Sequence, residues 1–283
     1  MPECLGPILA ATVTVADLEY ASTAYCSLLG YQHLAEGLND GLRWRLLGPA
    51  GARWGMVRLE EAPDAIPSKP FRTLGWVAIE VLVADVDATL ARCLEVDGFD
   101  VVQPPVSVGG TSSLRALQVS GPGGEGIYLT QVNSPPARFT LPSLEAGEHR
   151  VFVAVVGTHD LPATRDFFER GFGMPAITDH SLPVKVLNRA YGLPADSLHH
   201  ISTMQLAQGN LLEVDEYPAA ATVRPPGSTG ISSITFAGIN PKGASPRPLP
   251  PGADAPYWGM GAREWSGPFG LRIEIVPSDV RST

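Results

Sequence analysis

Two glutamates and a histidine pair hold the residue types most suited to chemistry. Glu213 sits in "AQGNLLEVDEYP" (207–218) and Glu274 in "GLRIEIV" (270–276), each four residues after a glycine. "GGEGIYLTQV" (123–132) repeats that rhythm with Tyr128 in place of the carboxylate. "SLHHISTMQL" (197–206) adds His199 and His200. An imidazole beside two carboxylates can move protons at neutral pH, and carboxylates crowded in a semi-apolar hollow hold their protons more tightly. Strand alternation turns only one of the two histidines inward, and His200 is the choice made here, with Glu213 and Glu274 as its acid partners. His199, Tyr217, Trp258, Trp265 and Tyr128 are then candidates to line a substrate pocket. Each has a plainer reading. The glutamates can pair with Arg263 or Arg272, the histidines can sit at a loop edge, and the aromatics can be ordinary core. His33, His149, His159 and His180 read as surface residues of turns and strand edges.

Composition narrows the classes. The chain has 283 residues, 44% apolar and 17% charged, with 30 Gly and 27 Pro, a globular profile with many turns and few long helices. A net charge of −9 without a Lys/Arg cluster argues against nucleic acid and anionic membranes. The longest apolar run, "VFVAVV" (151–156), cannot span a bilayer, and no signal peptide is read at the start. Three cysteines (Cys4, Cys26, Cys93) without CxxC spacing suit a reduced, cytoplasmic protein. The "GPGGEG" turn (121–126) lacks the GK[ST] ending of a phosphate loop.

An internal repeat organises the whole. "TVTVADLEYASTAYCSLLGY" (12–31), "EVLVADVDATLARCLEVDGF" (80–99) and "VAVVGTHDLPATRDFFERGFGM" (153–174) each read as strand, Asp, helix, Gly. Asp17, Asp85 and Asp160 precede Gly30, Gly98 and Gly173 by the same interval. The Asp caps a helix N-terminus and the Gly supplies a left-handed C-terminal residue. Leu18, Ala21, Tyr25, Leu28 and Leu29 share one face of the first helix, and Val86, Leu90, Cys93 and Leu94 one face of the second. Short β-like runs follow each helix, with a helical insertion near "KVLNRAYG" (185–192). A fourth, degenerate unit starts at "GISSITFAGI" (230–239) and closes with "GLRIEIV". Each of the first three units therefore reads βαβββ, and the fourth has no Asp-capped helix after its first strand. The expected fold is α+β: four βαβββ modules paired into two cupped mixed-sheet domains. Residues 1–132 form the N-terminal domain, 133–148 the linker, and 149–283 the C-terminal domain.

This pattern resembles the vicinal oxygen chelate superfamily of glyoxalase I, bleomycin-resistance proteins and extradiol dioxygenases. Metal-dependent members place a His or Gln on a first strand, seven residues before the capping Asp, and a Glu near the middle of a last strand. The resemblance carries those positions onto Ala10, Ala78 and Val153, and onto Arg58, Tyr128, Glu213 and Glu274. No first-strand imidazole remains, and the fourth unit offers only Ser232 and Ser233. The expectation is therefore no transition metal, with at most a weak divalent ion at Glu213 and Glu274. "SLHHISTMQL" also resembles an extradiol-dioxygenase strand whose histidine pair supplies a proton-moving imidazole.

Three readings of function follow. The first is an isomerase or lyase acting by proton transfer on a small aromatic or carbonyl compound in the C-terminal cup. The second is a bleomycin-resistance-type binding protein holding a small hydrophobic or aromatic molecule. The third is a ring-cleaving dioxygenase or glyoxalase-type metalloenzyme. A homodimer is compatible with all three, because modules can pair within or between chains.

Overall fold

The computed structural model describes residues 5–39, 41–108, 113–134, 136–144, 148–238, 246–249 and 256–277. Cys4, parts of the linker and most of the Pro/Gly-rich loop of the fourth module lie outside them. The first module comprises β1 (Ile8–Val15), α1 (Leu18–Leu29), β2 (Gln32–Asn39), β3 (Leu42–Gly48) and β4 (Met56–Glu61). The second comprises β5 (Thr73–Leu82), α2 (Val86–Cys93), β6 (Asp100–Ser107), β7 (Leu114–Ser120) and β8 (Gly126–Val132). The third runs β9 (Arg150–Thr158), α3 (Leu161–Phe172), β10 (Ala176–Pro183), α4 (Lys185–Tyr191), β11 (Leu198–Gln205) and β12 (Leu211–Glu216). After a short β13 (Thr222–Val223), the fourth runs β14 (Gly230–Gly238), β15 (Arg247–Pro248), β16 (Arg263–Ser266) and β17 (Arg272–Pro277).

The caps work as the repeat implies. The Asp17 carboxylate accepts from the Tyr20 N–H, Asp85 from Asp87 and Ala88, and Asp160 from Ala163. Gly30 and Gly173 end their helices in the left-handed region (φ 68° and 67°). The second helix departs from the pattern. It stops at Cys93, leaving Leu94 73% exposed rather than on the buried face. Gly98 is still left-handed (φ 102°), and a Cβ there would stand 2.9 Å from that of Ala24, so it serves close packing of the two modules.

Within each module the first and last strands run parallel: β1 with β4, β5 with β8, β9 with β12, β14 with β17. The free edge of each first strand takes another first strand, antiparallel, and here the expected pairing by sequence order fails. β1 joins β14 and β5 joins β9. One sheet is therefore β15-β16-β17-β14-β1-β4-β3-β2, from modules one and four. The other is β10-β11-β12-β9-β5-β8-β7-β6, from modules two and three. Residues 133–148 connect two strands of one sheet instead of dividing two domains. All four first strands offer similar apolar edges, so nothing local in the sequence selects the partner.

The back faces of both sheets and helices α1 to α3 share one large core that includes Tyr25, Phe168, Phe236, Ile79 and Met204. Polar ties cross between the sheets. Tyr25 Oη donates to Glu125 at 2.7 Å, Trp76 Nε1 to the Arg272 carbonyl at 2.9 Å, and the Ile8 N–H to Asn210 Oδ1 at 3.0 Å. Because each sheet needs both chain halves, fragments 1–132 and 149–283 expressed alone should give no cooperative thermal transition. Mixing them should restore one, measurable by near-ultraviolet circular dichroism.

Candidate functional site

Each sheet curves around a concave face on the side away from the shared core, and cross-strand register decides what lines it. In the first sheet, Arg58 of β4 lies opposite Thr12 and Leu46, and Glu274 of β17 opposite Thr235 and Glu264. In the second, Tyr128 of β8 lies opposite Glu80, and Glu213 of β12 opposite Val155 and Thr203. The four last-strand positions picked out by sequence thus all face a hollow. They face two different hollows, so Glu213 and Glu274 cannot share an ion or a substrate. Placing both acids in one C-terminal cup is corrected by the pairing of modules.

The first cup is filled and its charge is balanced. The buried Arg58 guanidinium donates to Tyr257 Oη at 2.8 Å, pairs with Glu60 at 3.0 Å and lies 4.7 Å from the Trp44 ring centre. Tyr257 Oη in turn donates to Glu274 at 2.7 Å, and the Thr235 and Ser233 hydroxyls donate to the same carboxylate. Arg272 approaches Glu274 to 3.9 Å and pairs with Glu264 at 2.6 Å. Trp258 belongs to this cup's rim cluster, under Arg53 at 5.6 Å. Glu274 is a buried, fully bonded side chain, close to the plainer reading that set it beside Arg272.

The second cup is different in kind. Glu80 from β5 and Glu213 and Asp215 from β12 face it together. Glu213 and Asp215 are two residues apart on one strand and so lie side by side on its cup face. Burial first, then the negative charge of Asp215, holds the Glu213 carboxyl well above the usual carboxylate range. Asp215 is raised by burial, with the contact from Glu213 pulling it down and Glu80 pushing it up. Burial and the charge of Glu213 lift Glu80 to about 8, opposed by the Thr130 hydroxyl, which donates to it at 2.5 Å. No lysine or arginine acts on any of the three among the described residues. Asp215 is 2% exposed, and its Oδ1 is buried with no hydrogen-bond partner. Glu80 and Glu213 keep some accessible surface.

The walls are aromatic and apolar. Tyr128 meets Phe71 edge-on at 6.1 Å, and Tyr217 meets Tyr191 at 6.5 Å. Burial and the surrounding acids hold the Tyr128 phenol far above its ordinary value, so it stays a neutral hydroxyl. α4 closes the mouth. Its Val186 and Leu187 are buried among cup residues, and Asn188 Oδ1 lies 2.7 Å from His199 Nε2. Arg189 bonds Gln103 at 2.8 Å and the Val102 carbonyl on β6, the far edge of the same sheet. The sheet therefore curls until α4 bridges its two edge strands.

The expected site residues consequently separate. Glu213, Tyr128, Tyr217 and His199 gather in this cup, with His199 only 6% exposed and tied to α4. His200 points the other way, exposed, with Nδ1 at 2.8 Å from Ser181 Oγ. The alternation was right in admitting one histidine, but register chooses His199. Trp265 lies opposite Ile273 and packs on Phe172 in the shared core, not in a cup. Glu274 and Trp258 belong to the first cup. His149 is buried rather than at the surface, its Nδ1 2.9 Å from the Leu29 carbonyl, and burial lowers its proton affinity. Two acids escaped the sequence reading although alternation marks both: Glu80 lies two residues beyond Ala78, and Asp215 two beyond Glu213.

The first-strand positions are Ala78 and Val153, and no three His, Cys, Asp or Glu side chains converge as metal ligands among the described residues. No described helix is long and apolar enough to cross a membrane.

No protein-family model matches the chain, and no curated protein resembles it in sequence. Solved structures do resemble it in shape. Glyoxalase I from Zea mays is 17% identical with a TM-score of 0.65, covering 95% of this chain and 92% of that one. A Bacillus subtilis protein named as a putative dioxygenase is 12% identical with a TM-score of 0.66, covering 98% and 86%. The chain shares the fold of these proteins over nearly its whole length.

The acids give stability a distinctive pH dependence. Folded Glu80 binds its proton more tightly than the unfolded chain does, so its contribution is complete at acid pH and is lost as pH rises through about 8. Urea unfolding should show wild type losing about 2 kcal/mol more than Glu80→Gln between pH 6 and 9.5.

Proposed function

We propose that the second cup catalyses proton transfer on a small carbonyl compound, as an isomerase or lyase, without a transition metal. The observation that carries this is the buried, unpartnered Asp215 Oδ1 beside a proton-holding Glu213. Asp215 is raised yet remains the more acidic member of the pair, the property required of a base working near neutrality. In this reading Asp215 takes a proton from the carbon next to the carbonyl. Protonated Glu80, held by Thr130, donates to the carbonyl oxygen, so the electron pair of the broken C–H bond ends as an enol. Return of a proton at the neighbouring carbon completes an isomerisation, and departure of a β-substituent completes an elimination. Tyr128 stays neutral and, with Tyr217, forms the flat wall for the substrate.

A panel of α-hydroxyketones and 1,3-diketones in D2O, followed by proton NMR, tests this. Wild type should exchange the α-protons of at least one compound, and exhaustive chelation should leave the rate unchanged. Asp215→Asn should slow exchange at least 100-fold with affinity within about threefold, whereas His200→Ala should stay within twofold. The rate should fall above about pH 8 as Glu80 loses its proton. Loss of exchange on chelation, or full activity in Asp215→Asn, would sink the proposal.

The aromatic walls favour one further reading, a binding protein that holds a flat ligand without converting it. Ligand-dependent change in tryptophan fluorescence with no exchange in any compound would select it.

A further inference from the structure

With α4 across its mouth, the acid cup adjoins a second hollow at the end nearest Glu80. Beyond β8 the chain does not return directly to β9. Residues 133, 134 and 136–144 form an arch, and beneath it lies a cavity of about 820 Å³ lined by Leu82, Val83, Val132 and residues 136–144. That is the size of hollow that takes a drug-sized molecule. Its position matters more than its size. Leu82 lies opposite Thr130 on the face that carries Glu80 opposite Tyr128. Leu82 is thus one dyad, about 7 Å, further along the same strand than Glu80. Leu82, Val132, Phe139, Leu141 and Leu144 pack in the same cluster as Ala78, Val153 and Tyr128 of the cup. The cavity and the acid cup share a wall.

The arch is held in place. The Thr140 N–H donates to Gln205 Oε1 at 2.9 Å, and Gln205 Nε2 donates back to the Thr140 carbonyl at 3.2 Å. A Cβ on Gly209 (φ 75°) would come within 2.6 Å of the backbone at Leu141 and Pro142, so this glycine lets the arch lie flat on the turn before β12. The bulk of the lining is apolar, and its one cation, Arg138, is exposed at the edge.

We infer that this cavity beneath residues 136–144 is a subsite for the apolar tail of the substrate, whose carbonyl head lies on Glu80 and Asp215. This rests on the proton-transfer reading and narrows its substrate class to neutral carbonyl compounds bearing an aliphatic or aryl chain of several carbons. The apolar lining favours neutral chains, its one cation, Arg138, being exposed at the edge. The short amide-clamped arch, and not α4, then sets chain-length preference.

The test uses 2-alkanones from 2-pentanone to 2-undecanone displacing the neutral dye Nile red from the intact protein. Affinity should rise about fourfold per added methylene until the cavity is full. Val132→Trp and Leu144→Trp, both at partly exposed positions, should each weaken the dye and the longer ketones at least tenfold. Asp215→Asn should leave dye binding within twofold. Because a tryptophan variant can misfold, an alkanone with a terminal diazirine is also photolysed on the wild-type protein and the adducts mapped by mass spectrometry. Adducts within 82–84, 132–134 and 136–144 support the subsite. Adducts confined to the first cup or the surface, or folded tryptophan variants binding as wild type, overturn it. Tail binding with no α-proton exchange in any ketone would retain the cavity as a binding site and reject the catalytic reading, so the two failures are distinguishable.

Discussion

Everything in this molecule hangs on two antiparallel ladders, β1 against β14 and β5 against β9. A βαβββ module is half of a curved sheet, with its first strand exposed along one edge. An unpaired edge of that kind leaves a row of backbone donors and acceptors unsatisfied and is costly to bury. Joining first strand to first strand settles that demand and doubles each half-sheet into a cup. The choice of partner also crosses the chain. The outer modules combine, the inner modules combine, and the segment between them becomes an arch over one sheet.

The two cups show how the same architecture can be spent in different ways. In the first, Arg58 occupies a last-strand position and is stacked and bonded by Trp44, Tyr257 and Glu60, while Glu274 is saturated by hydroxyls. Its charges are matched, as stable burial requires. In the second, three carboxyls share one face with no cation acting on them among the described residues, and holding protons relieves their repulsion. Such an arrangement is poor for stability and well suited to exchanging protons near neutrality. The contrast in charge compensation marks the second cup, more than its shape, as the place to look for chemistry.

The sequence resemblance placed imidazole and carboxylate ligand positions on the first and last strands of the modules. Here alanine and valine fill the first-strand positions, and the acids stand at alternate residues along two strands rather than converging on one point. α4 bridges the two edges of the sheet and anchors His199 through Asn188, which turns the one inward histidine into a structural tie.

Much of this was legible in the sequence. The evenly spaced Asp and Gly residues set three helices and the module count, because capping and left-handed termination are local events. The last-strand positions Arg58, Tyr128, Glu213 and Glu274 could be aligned from glycine spacing alone, and each does face a cup. Alternation limited the cup to one of His199 and His200, and applied from Ala78 and Glu213 it also points to Glu80 and Asp215. Tertiary structure decided the rest. Which half-sheets join is a matter of long-range edge pairing, to which no local signal contributes. That pairing parted Glu213 from Glu274, while ladders within the third and fourth modules turned His199 inward and Trp265 into the shared core. It also brought Glu80, from another module, against Glu213. Spacing along a chain determines which face a residue occupies, whereas only the assembled sheet determines what stands opposite.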